Sequence, residues 1–297
     1  MSLDYPCYPQ LPGSLPKPMN MCLQFLIPLS RTDPGIQIRG EEAHLLSDEI
    51  EEISAPVGVE RGEYYLRYLH EHGLIRKVRG TKACVTGPFT LASYLDRKNL
   101  MTSGASKPNV VRALARVLSR SCKRLSDLGF DLVNIDEPFL SVMLGRTVLF
   151  KYNEQFVAEV LNMLIEEISC LSAIHVCGKV TPLVKRVLLR SEADIVDHEF
   201  AASPSNLAVY DRGDLERAGK FLAFGCVSSS NSRVETVEEI SASLRNALGK
   251  FGPRIIVKPD CGFGGMLGVP DVYGIVLTKL KNMVAASRIV AKETSRI

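Results

Sequence analysis

Six short, continuous apolar runs divide the chain, and each lies beside a longer amphipathic stretch. The runs are KACVTGP (82–88), GFDLVNIDEP (129–138), LSAIHVCG (171–178), EADIVDHEF (192–200), KFLAFGCV (220–227) and PRIIVKPDCG (253–262). Apolar residues at consecutive positions suit strands that are buried on both faces. The stretches at 89–95, 109–128, 153–169, 181–190, 236–252 and 271–286 carry helical spacing instead. Strand alternating with helix predicts a parallel sheet built from βαβ units. The first 80 residues are expected to add two strands, around 21–27 and in the 30s or 50s. Eight strands in 297 residues make a single (β/α)8 TIM barrel, an α/β fold, with a doubly wound sheet as the alternative. No repeat, low-complexity tract or linker splits the chain. Residues 1–297 are therefore expected to form one domain, with an irregular Pro-rich segment over about residues 1–20 that contains YPCYPQLPGSLPKP.

Composition removes several classes of function. Hydrophobic residues make up 46% and charged residues 23%, as in a soluble globular protein. The net charge is +3 and the basic residues are dispersed, so neither nucleic acid nor an anionic membrane is an expected partner. No apolar run has the length of a membrane span. The N-terminus has no charged region followed by an apolar one, which argues against a secretory signal. Eight cysteines are too sparse for a disulfide scaffold and read as reduced thiols or metal ligands. The expected location is the cytoplasm.

Polar residues cluster where four of the runs end: Asp136-Glu137, His175 with Cys177, His198-Glu199 and Asp260-Cys261. In a strand, positions i and i+2 share a side, so His175 and Cys177 offer an imidazole and a thiol to one point. In a parallel barrel all C-terminal strand ends open on one rim, where active sites form. His175, Cys177, Glu199 and Cys261 are a sound ligand set for Zn2+: the thiolates select a soft ion, and imidazole and carboxylate complete a tetrahedron. Each part also has a plain reading. A histidine at a strand end is commonly a hydrogen-bonded core residue. Cys84, Cys122, Cys170 and Cys226 read as small buried hydrophobes. Asp-Glu-Pro serves as a helix cap, and CGFGG as a tight turn or a phosphate-binding loop. Coincidence on one rim favours the metal.

These residues together resemble the catalytic, C-terminal domain of the cobalamin-independent methionine synthase family. The resemblance is good over about residues 80–265 and weak before them. VTGPFTLASYL resembles the family's third-strand motif, NIDEPFL its Asp-Glu-Pro strand, AIHVCG its His-x-Cys strand, DIVDHEF its glutamate strand and VKPDCGFGG its Pro-Asp-Cys-Gly strand. PGSLP (12–16) resembles the first-strand Gly-Ser, and SRVETVEEI (232–240) the opening of the seventh helix. HVCGKVTPL is equally similar to methylcobamide:coenzyme M methyltransferases, which share the barrel and a zinc-bound thiol. Uroporphyrinogen decarboxylases are more distant and share the fold without zinc. KPDCG and the glutamate favour the synthases.

The resemblance implies zinc ligands at His175, Cys177, Glu199 and Cys261. It implies that Asp136, with Ser14, holds the substrate's amino end. Homocysteine carries an ammonium, which wants a carboxylate such as Asp136 or Glu137, and these two are the candidate catalytic pair. The implied activity is a zinc-dependent methyltransferase that makes methionine from homocysteine. Two departures bear on the donor. The folate-dependent enzymes stack their pterin on a tryptophan, and this chain has none. They also protonate the departing folate nitrogen with a histidine after the seventh strand, where this chain has Ser230, and no histidine follows His198. A methyl-corrinoid leaves as Co(I) and needs no proton, so methylcobalamin or a corrinoid protein is the expected donor. A folate enzyme whose acid has moved to Asp260 or Tyr210 is the competing expectation. Coenzyme M as acceptor is an alternative, although its sulfonate would want Arg or Lys at the rim. A non-catalytic zinc-binding partner of a corrinoid protein is a second alternative, and it would close the site with four tight ligands.

Overall fold

The computed structural model describes residues 3–8, 20–50, 54–145 and 148–294. Its centre is a six-stranded sheet: β3 (Lys82–Thr86), β4 (Leu132–Asp136), β5 (Leu171–Val176), β6 (Ile195–Glu199), β7 (Phe221–Gly225) and β8 (Ile255–Lys258). The strands lie in sequence order and every pair is parallel. All six correspond to the six apolar runs.

The two strands expected before residue 80 take other forms. Residues 21–27 fall largely in a helix, α1 (Leu23–Ser30), whose Phe25, Leu26 and Leu29 are buried. A short apolar run fits a buried helix as well as a strand, and periodicity cannot separate them. The strand in the 30s exists as β1 (Ile36–Arg39), but it pairs antiparallel with β2 (Glu42–Leu45) in a separate hairpin. Gly40 turns this hairpin at φ +63°, a left-handed conformation that glycine adopts without steric cost. Residues 54–59 contain no strand. Among the described residues the sheet therefore does not close. β8 ends it on one side. On the other, the outer edge of β3 meets Cys7 through a parallel bridge to Lys82, whose N–H donates to the Pro6 carbonyl (3.1 Å).

The remaining helices are α2 (Glu60–Glu71), α3 (Pro88–Tyr94), α4 (Pro108–Asp127), α5 (Leu140–Met143), α6 (Glu154–Ile165), α7 (Pro182–Arg190), α8 (Arg212–Ala218), α9 (Val237–Phe251) and α10 (Val272–Thr294). None among the described residues is long and apolar enough to cross a membrane. Side-chain caps start the later ones. Asn153 accepts from the Phe156 N–H, Thr181 from Val184, and capping boxes open α8 and α9.

One face of the sheet belongs to the main core. Val85, Val133, Ile135, Ile174, Val176, Val196, Leu222 and Phe224 are all buried there, and α4 packs on β3 and β4. The opposite face is different. Its lower part is a small apolar cluster of Ala173, Ile195 and Ala223 with Leu132. Bordering it and sharing Ala223, paired residues run across the strands in the row Thr86, Asp136, His175, Asp197, Ala223 and Ile256. Side chains that are paired in register share a face, so three ionisable groups stand side by side on adjacent strands.

Candidate functional site

The strand period puts Cys177 above His175 on β5, and the turn after β8 brings Cys261 to the same place. His175 Nε2 lies 2.9 Å from Cys177 Sγ and 3.1 Å from Cys261 Sγ, and the two sulfurs are 3.0 Å apart. These three ligand atoms fall within 4.8 Å of one another. All eight cysteines are free thiols, so no disulfide competes for the sulfurs. Three electron-rich atoms converge from residues 86 positions apart, two of them on thiols, and this is a donor set suited to a soft divalent cation. The residues present thus fit the zinc that their types suggest. Cys177 and Cys261 share a hydrogen bond that pulls the Cys261 thiol down to about 4, against its burial and with help from His175. The same bond pushes Cys177 up, because it keeps the shared proton.

Glu199, at the end of β6, stands beside this triplet. Its Oε2 is 3.9 Å from Cys261 Sγ, while Oε1 accepts from the Ser203 hydroxyl at 2.6 Å. The structure thus brings three of the four expected ligands into direct contact and leaves the fourth beside them, tied to its own loop.

Beneath the sulfurs lies a charge cluster. The other ring nitrogen of His175, Nδ1, is 2.7 Å from Asp197 Oδ1. That carboxylate is buried, and it meets the Lys258 ammonium at 2.6 Å and the Lys82 ammonium at 3.6 Å. Burial alone would raise the Asp197 pKa, but Lys258, His175 and Lys82 hold it well below the usual range. For His175, burial works against charge, and Asp197 overcomes it and raises the imidazole to about 9. Sequence reasoning missed Asp197, Lys82 and Lys258. The available signal was a charged residue inside an otherwise apolar strand, which must find a partner when buried.

Asp136 occupies the row position next to His175. It is nearly buried, and burial raises its pKa. Asn134, two residues below it, donates to Asp136 Oδ1 at 2.6 Å. Glu137 points elsewhere. It is fully buried, and its oxygens accept from the Phe89 N–H (2.9 Å), the Thr90 N–H (2.9 Å) and the Thr90 hydroxyl (2.6 Å). It anchors the first turn of α3 beside Asp136. Ser14 lies outside the described residues. Tyr210 is buried with its hydroxyl 3.1 Å from His198 Nε2. Asp260 accepts from the backbone N–H groups of Phe200, Ala201 and Ala202 and so stitches the turn after β8 to the end of β6. Ser230 is exposed, with its hydroxyl 3.1 Å from that of Ser228. Of the four cysteines read as small hydrophobes, Cys84, Cys122 and Cys226 are buried and Cys170 is half-buried. Cys84 also meets Cys7, sulfur to sulfur, at 3.4 Å.

Comparison with known proteins identifies the family and the fold. The family model described as "Cobalamin-independent synthase, Catalytic domain" matches residues 60–289. A methionine synthase of Methanothermobacter thermautotrophicus is 34% identical over 210 residues, covering 70% of this chain and 63% of the relative. One from Methanocaldococcus jannaschii is 28% identical over 219 residues, with 70% and 65% covered. The chain thus spans just under two thirds of the length of these relatives. Among solved structures, a B12-independent methionine synthase from Shewanella sp. W3-18-1 in complex with selenomethionine superposes with a TM-score of 0.65 at 21% identity, over 86% of this chain and 72% of that one. A methyltransferase from Methanosarcina mazei gives 0.58 at 16% identity, over 84% and 74%. These two likenesses are of fold. The family match covers most of the chain and includes every strand of the sheet, so this chain belongs to the family of the cobalamin-independent synthase catalytic domain.

Proposed function

We propose that the chain is a zinc-dependent methyltransferase that moves a methyl group to the thiol of homocysteine and forms methionine in the cytoplasm. The observation that carries this reading is the meeting of His175 Nε2, Cys177 Sγ and Cys261 Sγ at the strand ends of a synthase-family sheet. Zinc held by these three and Glu199 would supply a Lewis acid that keeps a substrate thiol ionised and fixed at neutral pH. The chain's own groups do the rest. Asp197 turns the His175 ring. Glu199 is already bonded to Ser203, which suits the ligand that gives way to the incoming sulfur. Asp136 stands next to His175 with a carboxylate for the substrate ammonium, and Ser14 is the second group proposed for that end. Glu137 keeps α3 in place beneath them. In this reading the six-stranded sheet is the larger part of a single (β/α)8 barrel over residues 1–297.

The proposed donor is methylcobalamin or a corrinoid protein, although the family takes its name from synthases that need no cobalamin. A folate amine must be protonated as it leaves, so a general acid must stand within reach. The two replacements available in the sequence are engaged elsewhere: Tyr210 with His198, and Asp260 as the acceptor of three backbone N–H groups. The test is to incubate the zinc-loaded protein with homocysteine and, in turn, methylcobalamin, a methylated corrinoid protein and methyl-folate, and to measure methionine. Methionine from the corrinoid arms supports the reading. A robust rate with methyl-folate that is lost on changing Asp260 or Tyr210 overturns the donor. Transfer to coenzyme M in preference to homocysteine overturns the acceptor, and no transfer in any arm leaves a zinc-binding partner protein.

A further inference from the structure

The charge cluster beneath the sulfurs spans four strands. Lys82 comes from β3, His175 from β5, Asp197 from β6 and Lys258 from β8. Asp197 Oδ1 serves both His175 Nδ1 (2.7 Å) and Lys258 Nζ (2.6 Å), while Oδ2 faces Lys82 Nζ at 3.6 Å. Lys258 Nζ also donates to the Asp260 carbonyl at 2.5 Å, one residue before Cys261. The carboxylate is thus engaged at both oxygens and cannot turn away without giving up an ion pair to a half-buried lysine. A carboxylate on Nδ1 makes that nitrogen a donor and turns Nε2 toward the two sulfurs, so that Nε2 is the nitrogen left to hold an ion once its own proton is released.

We propose that Asp197 is the positioning residue of the site, locked by Lys82 and Lys258, and that this four-strand clamp sets both the tautomer and the direction of the His175 ring. The inference rests on the zinc reading above and adds to it three residues that do not touch the ion. The lysines have a distinct part in the clamp. A lone Asp–His pair can rotate together about the strand. Two ammonium groups, from the strands at the two ends of the sheet, fix the carboxylate, and through it the ring, to the frame of the sheet. Lys258 carries this one step further, because its bond to the Asp260 carbonyl ties the turn that delivers Cys261 to the carboxylate that aims His175.

The test is zinc affinity, read by competition with a chromophoric chelator on the full chain, with thermal unfolding of the metal-free protein run alongside. Asp197→Ala should weaken zinc about 10- to 100-fold, as outer-shell partners of metal-bound histidines do. Asp197→Asn keeps a carbonyl for Nδ1–H but leaves both lysines without an anion, and its loss should lie between wild type and alanine. Lys258→Met keeps the carboxylate and removes its nearer anchor, and it should weaken zinc several-fold. Loaded with Co2+ in place of zinc, each variant should also show shifted ligand-field absorption, a signature that lost stability alone does not produce. If Asp197→Ala does not fold, the other two variants decide. Wild-type zinc affinity and an unchanged cobalt spectrum in the folded variants overturn the clamp and leave the methyltransferase reading intact. A wild-type protein that binds no zinc overturns both.

Discussion

Two histidines on adjacent strands are held in opposite ways. His175 faces the site and is pulled toward the charged form by Asp197. His198 faces the core with no exposure. Its Nδ1 donates to the Val176 carbonyl (3.1 Å), which leaves Nε2 to accept from the Tyr210 hydroxyl (3.1 Å). Burial lowers its pKa from the usual 6.5 to about 4. The unfolded chain therefore binds a proton between about pH 6.5 and 4 that the folded chain refuses, and stability falls as pH drops through that window. His198→Gln should cost most at pH 7.5, and the gap to wild type should shrink by about 3 kcal/mol by pH 4. Urea unfolding of the metal-free proteins across this range measures it; a pH-independent gap would mean that His198 titrates normally. Asp136 gives a second prediction at this scale. Asp136→Asn should weaken homocysteine binding about 10- to 100-fold, the size of a lost hydrogen bond to a charged group, with zinc content unchanged. Calorimetry on the zinc-loaded variant checks it, and wild-type affinity would remove Asp136 from the site. The meeting of His175, Cys177 and Cys261 was legible because soft side chains at strand ends are rare in an apolar setting. The role of Asp197 was not, since the second aspartate of DIVDHEF signals only that it needs a partner and not which ones: Lys82 and Lys258 lie 115 positions before it and 61 after it.

The joint between β4 and α3 shows how an element is set in place beside the site. Gly87 precedes α3, and a Cβ added there would fall 2.3 Å from the Glu137 carboxyl. The glycine is required by space, since its backbone is extended and ordinary. In return Glu137 satisfies two N–H groups at the start of α3, which a helix cannot bond internally. Gly87→Ala and Glu137→Gln should each destabilise the fold by about 1–3 kcal/mol, through a clash and through an unpaired buried donor. Their double variant should cost less than the sum, because both disturb one contact. Denaturant unfolding of the three variants decides, and strict additivity would show the contact to be incidental. Elements of this kind were legible only in part. The six strands of the sheet stood out because each reads as a short, mainly apolar run beside a helical stretch, and all but β8 are mostly buried. The first 80 residues gave no such signal. Residues 21–27 are as apolar as a strand yet fold largely as helix, and β1–β2 is a hairpin whose residues are mostly half-exposed.

At the scale of the molecule, the site is a tie across the sheet. The proposed ligands come from β5, from the end of β6 and from the turn after β8, with β7 between them. At that level β7 offers Gly225, where any side chain would strike Asp260, so the turn bearing Cys261 can close over it. An ion bound by such a set joins the turn after β8 to β5 and β6, neither of which pairs with β8, and binding to the folded chain alone adds stability by mass action. At free zinc a thousandfold above Kd the gain is about 4 kcal/mol, which in a chain of this size should raise the melting temperature by roughly 5–10 °C. Removing metal with a chelator should therefore lower the melting temperature by that amount, and adding zinc should restore it. Cys261→Ser should lose most of the response, because it cuts the only proposed ligand delivered by β8. Glu199→Gln should keep more of it, since Glu199 lies apart from the triplet and is held by Ser203. A wild-type melting temperature indifferent to chelation would mean that no ion spans these strands. The sheet would then hold its shape through its hydrogen bonds, its packed core and the Asp197 cluster.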